Sequence, residues 1–73
     1  MDSDATTPMS YRIVLRGELG DDFQVLFEGM RLERADGVTV LIGSLDQAQL
    51  GGVIGRVQDL GIELVSIEPS TGR

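Results

Sequence analysis

The segment 43–68 constrains the fold more than any other part of the chain, because it carries signals for a helix, a helix stop and a strand. Apolar residues recur at the spacing of one helical face, at Leu50, Val53, Ile54, Val57 and Leu60. Gly61 follows directly, where a left-handed residue ends many helices. Residues 62–68 then form a mostly apolar run that ends at Pro69. The segment therefore predicts an amphipathic helix followed by a strand.

Two pairs of residues are candidates for the start of this helix. Ser44 with Gln47, and Asp46 with Gln49, both have the spacing of a capping box. The helix is therefore predicted to begin between Ser44 and Asp46.

The predicted helix also contains three glycines, Gly51, Gly52 and Gly55, each of which costs about 0.5–1 kcal/mol relative to alanine. Together with Ala48 they lie opposite the apolar stripe. A face without side chains lets another backbone approach closely. We expect these four residues to form a helix-to-helix interface between two copies of the chain, which Gly55→Leu would weaken. The alternative is a solvent face without a binding role.

The chain has 73 residues and no cysteine. A single domain is expected at this length, and neither disulfides nor thiolate metal sites can reinforce it. Oligomerisation is one of the remaining ways to stabilise a small domain. We therefore expect a homodimer.

Charge narrows the choice of partner further. Six arginines, no lysine and twelve acidic residues give a net charge of −6. Such a chain is a poor ligand for nucleic acid or for an anionic membrane, because both attract basic surfaces. The N-terminus has no basic start and no apolar run typical of a secretory signal, so a cytoplasmic location is expected.

The first half of the chain predicts a strand and a short helix. Residues 1–10 and 70–73 are expected to be tails around a single domain at 11–69. The inner face of strand 11–19 would carry Tyr11, Ile13, Leu15 and Leu19. Arg12 and Arg16 would face solvent, with a small anion site as the alternative.

Segment 20–29 follows this strand and predicts two helical turns that pack Phe23, Leu26 and Phe27 on the sheet. Asp21 and Asp22 at its start are more typical of a cap than of metal ligands.

A hairpin is predicted around Asp36-Gly37, which separates runs at 30–35 and 38–42. The buried side of this hairpin is expected to comprise Met30, Leu32, Val38, Val40 and Ile42. Leu41 would be an exception that points outward.

The element order is then strand, short helix, strand, strand, helix, strand. It predicts an α+β fold of the ferredoxin-like split β-α-β type, in which a four-stranded antiparallel sheet has its helices on one face. Strands one and three would lie at the centre. If the first helix is only a turn, a meander of strands one to three is the alternative.

Residues Asp46-Gln47-Ala48, Leu50 and 56–61 resemble a group of short single-domain actinobacterial proteins with a DQAxLxGLLxRLxxLGxxLxSV-like segment. That group has no established activity, so the resemblance implies no catalytic residue. The helix, the following Leu-Gly-Ile and the strand are also loosely similar to the ACT regulatory domain. The chain lacks the glycine-rich turn that contacts amino acids in that family.

Catalysis is not expected, because the chain contains no histidine, cysteine or lysine and its carboxylates are scattered. No cofactor or metal is expected either. Two hypotheses remain open. The first is a non-catalytic protein-interaction module that self-associates, through the glycine-bearing face of the helix or a sheet edge, and docks on a larger protein. The second is an ACT-like sensor that binds a metabolite at a dimer interface near Gly43, Ser44 and Asp46.

Overall fold

Four antiparallel strands and one α-helix make up the fold in residues 8–27 and 29–70, which the computed structural model describes. The elements are β1 (Met9–Arg16), a 3-10 segment (Asp21–Phe27), β2 (Arg31–Ala35), β3 (Val38–Leu45), α1 (Gln47–Asp59) and β4 (Leu64–Pro69). The fold is therefore α+β. Within the described ranges, no helix has the length and apolar character needed to cross a bilayer.

The strands are arranged in the order β2-β3-β1-β4, and each neighbouring pair is antiparallel. β1 and β3 lie at the centre of the sheet, as the sequence predicted. The meander alternative is wrong, because β1 pairs with β3 and β4 and not with β2.

The ends of α1 follow from local hydrogen bonding. The Asp46 carboxylate accepts from the Gln49 amide at 2.8 Å, and the Gln49 side chain accepts from the Asp46 amide at 2.9 Å. Asp46, rather than Ser44, is therefore the N-cap. At the other end Gly61 has φ +75° and Ile62 donates to the Val57 carbonyl, which completes a Schellman motif.

The hairpin between β2 and β3 turns at the two predicted residues. Asp36 and Gly37 have φ values of 53° and 83°. Two consecutive positive values are typical of the tight turn that matches the twist of a hairpin, and Asp-Gly adopts it at little cost. The hairpin prediction is confirmed.

β1 begins and ends earlier than predicted. It begins at Met9 instead of Tyr11, and it ends at Arg16 because Gly17 turns the chain with φ +93°. Leu19 lies outside the strand but still packs against the core. Of the two predicted tails, residues 1–7 and 71–73 lie outside the described residues.

The core lies on one face of the sheet, between the strands, the 3-10 segment and α1. Its most deeply buried apolar residues are Ile13, Leu15, Phe27, Leu41 and Val57. The predicted packing of the 20–29 segment is confirmed, since Phe27 is buried and both Phe23 and Leu26 pack against the cluster. In the helix, Leu60 is largely exposed, contrary to the prediction, because α1 has already ended there.

The predicted inner face of β3 is wrong. Leu41 is fully buried in the core and pairs with Ile13 and Leu32, so Val38, Val40 and Ile42 lie on the opposite face. Both alternating sets of β3 are largely apolar, so their pattern alone could not choose between them. The two-residue turn fixes the register, and a register fixes which side chains point inward.

Candidate interaction surfaces

The four small residues of α1 lie on one exposed face of the helix. Ala48, Gly51 and Gly52 are exposed and Gly55 is half-buried. A methyl group built on any of the three glycines would meet no atom within 4 Å. We call these four residues the glycine surface. The structure brings them together as expected, and their role as an interface stays a prediction.

A groove of about 300 Å³ runs beside the glycine surface, between α1 and the 3-10 segment. Gly52 and Arg56 line it from the helix side, and Val25 and Leu26 from the other. The Arg56 guanidinium donates to the Leu26 carbonyl at 2.6 Å, so it ties the two elements together. The guanidinium of Arg56, which lines the groove, is therefore already hydrogen-bonded within the fold.

Each of the three residues of the predicted ligand site has a structural role of its own. A methyl group on Gly43 would lie 2.9 Å from the Cγ atom of Met30, so this glycine allows close packing. Asp46 forms the capping box described above. Ser44 is exposed and pairs with Ser10 across the sheet. No ligand is needed to explain any of these three residues.

Two of the remaining polar candidates, Arg16 and Asp21, are engaged in ion pairs. Arg16 binds Glu63 at 2.8 Å, and Arg34 binds Asp21 at 2.8 Å. In the part of the chain that the structure describes, no group of three acidic side chains is arranged to hold a metal ion. Exposed ion pairs of this kind contribute little to stability.

The sheet has a second face, which the sequence did not single out. Both α1 and the 3-10 segment pack on the core side, so within the described residues no helix covers the other side. Its centre is formed by four contiguous apolar side chains from the two central strands, Val14, Val38, Val40 and Ile42. We call this surface the open face.

Positively and negatively charged residues surround the open face in equal numbers. Three arginines and three glutamates form its rim: Arg12, Arg16, Arg31, Glu33, Glu63 and Glu68. The rim is neutral in sum, so the net charge of −6 resides on the rest of the chain. Two rim pairs are already formed, Arg16 with Glu63 and Arg31 with Glu33 at 3.2 Å.

One sequence signal could have found the open face. The stretch Val38–Leu45 reads VTVLIGSL, in which Thr39 is the only polar residue before Gly43. A strand of an antiparallel sheet with one solvated face normally alternates apolar and polar residues. A continuous apolar run is typical of a strand that is covered on both sides.

Residues 10–68 match a protein family described as a domain of unknown function, DUF8691. The match spans most of the chain. The chain belongs to this family. The DUF8691 region runs from β1 to β4, so it contains the glycine surface and the open face with all of its rim. A search of curated proteins and a search of solved structures each returned no match. No similarity of this DUF8691 domain to the ACT regulatory domain emerged.

Proposed function

We propose that this chain is a small non-catalytic module that acts by protein–protein contact, pairing with a second copy and docking on a larger protein. The observation that carries the proposal is the open face. Four contiguous apolar side chains lie there without a covering helix in the described residues, and three of them, Val14, Val38 and Ile42, are only half-buried. Contiguous apolar surface with a polar rim is typical of protein interaction sites.

The size of the chain supports the same proposal. A domain of this length buries a modest share of its surface, and the chain has no cysteine to reinforce it. Association with another protein adds buried apolar area that the isolated chain lacks.

We further infer that the fold is a reduced ferredoxin-like split β-α-β arrangement. β1 and β3 occupy the centre of the sheet, and the 3-10 segment stands in the position of the first helix. Both helical segments contribute to one core cluster. This arrangement leaves the second face of the sheet available for binding.

We assign the glycine surface to the docking of a larger partner, in place of the contact between two copies that was expected from the sequence. Its bare backbone accommodates a close approach by another chain, which gives the glycines a reason to remain despite their cost to helix stability. The open face is better suited to self-association, since its rim is neutral whereas the rest of the chain carries the whole net charge of −6.

Thermal unfolding at several protein concentrations tests self-association, because a dimer gains stability by mass action. We expect the Tm to rise with concentration. A Tm that does not change with concentration would count against pairing.

The Gly55→Leu variant separates the two surfaces. We expect it to retain the concentration dependence of the parent and to stabilise the helix by about 0.5–1 kcal/mol, since the added side chain meets open space. Gly55→Ala is the matched control, with the same helix gain and almost no added bulk. If Gly55→Leu abolishes the concentration dependence while Gly55→Ala keeps it, the pairing surface is on α1.

The ligand-sensing alternative has no specific observation in its favour. Gly43 and Asp46 each serve packing or capping, and the groove beside α1 presents a guanidinium that is engaged with a backbone carbonyl. The interaction module is therefore the function proposed.

A further inference from the structure

We infer that two copies of this chain pair through their open faces, with a two-fold axis that runs parallel to the strands. The inference rests on the proposed function, because it names the surface and the orientation of the self-association. It follows from three observations: the burial pattern of β3, the charge balance of the rim, and the register of the sheet.

The burial pattern indicates that the open face needs a cover. Val14, Val38 and Ile42 are half-buried and Val40 is buried, although no helix of the described chain lies above them. The three half-buried side chains carry remaining apolar area that a second layer would remove from water, at about 25 cal/mol per Å², whereas Val40 is already almost fully buried. A sheet packed face to face with another sheet buries such side chains in a shared layer about 10 Å thick.

The charge balance indicates that the cover is a second copy. The rim holds three arginines and three glutamates, so it can pair with itself without net repulsion. The rest of the chain carries the whole net charge of −6, so contacts elsewhere work on average against charge repulsion. A symmetric pair must be complementary to itself, and the open face meets that condition.

The register shows which charges would meet. On the open face, residues of neighbouring strands lie in rows that cross the sheet in the order β2, β3, β1, β4. The first row is Arg31, Ile42, Arg12 and Glu68. The second row is Glu33, Val40, Val14 and Ser66. A two-fold axis parallel to the strands exchanges β2 with β4 and β3 with β1. It brings Arg31 opposite Glu68 of the partner subunit, and Val40 opposite Val14 of the partner subunit. It also brings Ile42 opposite Arg12 of the partner subunit, whose aliphatic stem can cover an apolar side chain.

The other face-to-face orientation is less favourable. The alternative two-fold axis runs perpendicular to the strands, through the row of Val14 and Val40. It places each strand opposite the same strand of the partner subunit, with the two strands running in opposite directions. It sets Arg12 against Arg16 and Glu68 against Glu63. Like charges that face each other across an interface cost several kcal/mol. The axis parallel to the strands is therefore the one that the rim selects.

The Arg31 side chain is positioned for this contact. It is 72% exposed and pairs with Glu33 at 3.2 Å on the same strand, which holds it on the open face. In the pair it would lie between Glu33 and the Glu68 carboxylate of the partner subunit. The two-fold symmetry forms the contact between Arg31 and Glu68 of the partner subunit twice. A substitution of either residue therefore changes two contacts in the dimer.

Charge reversal tests the inference. We expect Arg31→Glu and Glu68→Arg each to weaken the dimer about 10- to 100-fold in sedimentation equilibrium, because two attractive pairs become repulsive. The double variant Arg31→Glu/Glu68→Arg has the net charge of the parent and is expected to bind within about threefold of the parent, since exchanging the charges restores both pairs. Both residues are exposed, so losing the Arg31–Glu33 pair and the Arg12–Glu68 neighbour contact is expected to cost at most about 1 kcal/mol each and to leave the chain folded.

Asp59→Arg is the control for net charge, because it alters an exposed acid on α1 by the same amount as Glu68→Arg. It should leave the dimer at least as tight as in the parent. Single variants that pair as tightly as the parent, or a double variant that is weaker than either single one, would overturn the inference while leaving self-association intact. A parent chain that stays monomeric would overturn self-association as well.

Crosslinking gives the orientation independently. The chain has no cysteine, so Glu33→Cys and Ser66→Cys each introduce a single thiol. In the proposed pair, position 33 faces position 66 of the other copy, whereas identical positions are separated by about 14 Å across the sheet in addition to the layer spacing. A short bis-maleimide should therefore link the mixed variants and neither one alone. Self-linking of each single variant would support the axis across the strands and overturn the inference.

Discussion

Leu41→Ala is expected to lower the free energy of unfolding by about 2–5 kcal/mol, which approaches the whole stability of a small domain. Leu41 is fully buried on a central strand, between Ile13 of β1 and Leu32 of β2. Its truncation would leave a cavity in the centre of the core. Urea denaturation followed by circular dichroism measures the change.

Ile42→Ala is the matched comparison for the loss of stability. Leucine and isoleucine are isomers, so both substitutions remove three carbon atoms. Ile42 is half-buried on the open face. We expect it to lose less than half as much stability as Leu41→Ala when both are measured at a concentration low enough to keep the chain monomeric. An equal or larger loss at Ile42 would mean that β3 presents its other side to the core.

Thr39→Val is expected to cost about 2–4 kcal/mol, although the two side chains have nearly the same shape. The Thr39 hydroxyl is fully buried, donates to the Gly17 carbonyl at 2.7 Å and accepts from the Leu19 amide at 2.9 Å. Valine would leave both backbone groups without a partner at the point where the chain leaves β1. A buried polar group that loses its partner costs its full desolvation energy.

Thr39→Ser is the control, because it keeps the hydroxyl and removes one methyl group, at a cost of about 1 kcal/mol. The two variants can be compared by urea denaturation and by hydrogen exchange at the Leu19 amide. We expect faster exchange at this amide in the valine variant only. If valine is as stable as serine, the hydroxyl does not hold the turn.

The parts of the fold that local chemistry decides could be predicted from the sequence. The capping pair at Asp46 and the stop at Gly61 each depend on residues a few positions apart, so α1 was predicted with its ends. Asp36-Gly37 predicted the hairpin for the same reason. The central position of β1 and β3 followed from the order of the elements and the handedness of crossovers.

The parts that depend on contacts distant in sequence could not be predicted in the same way. Thr39 is the only polar residue among the fully buried core positions of β3 in the described chain, and the predicted inner set with Val38 and Val40 would have placed it outside. Only the position of Gly17 and Leu19, about twenty residues earlier, explains why a hydroxyl belongs inside.

The two candidate surfaces differ in the same way, since one depends on neighbours in sequence and the other on contacts between distant residues. The glycine surface could be found from helical spacing alone, since Ala48, Gly51, Gly52 and Gly55 repeat on one face. The β3 run hints at the open face, but its extent could not be found from the sequence, because it brings together residues from all four strands. Arg31 and Glu68 lie far apart in sequence, and only the register of the sheet places them in one row.

Sedimentation velocity on the parent chain over a wide concentration series tests the central claim most directly. We expect a reversible shift from one copy to two, with no larger species, because a two-fold face-to-face contact closes on itself. We also expect the dimer to weaken as salt screens its rim charges. A chain that stays monomeric at the highest concentration, or one that grows without limit into larger assemblies, would contradict the account.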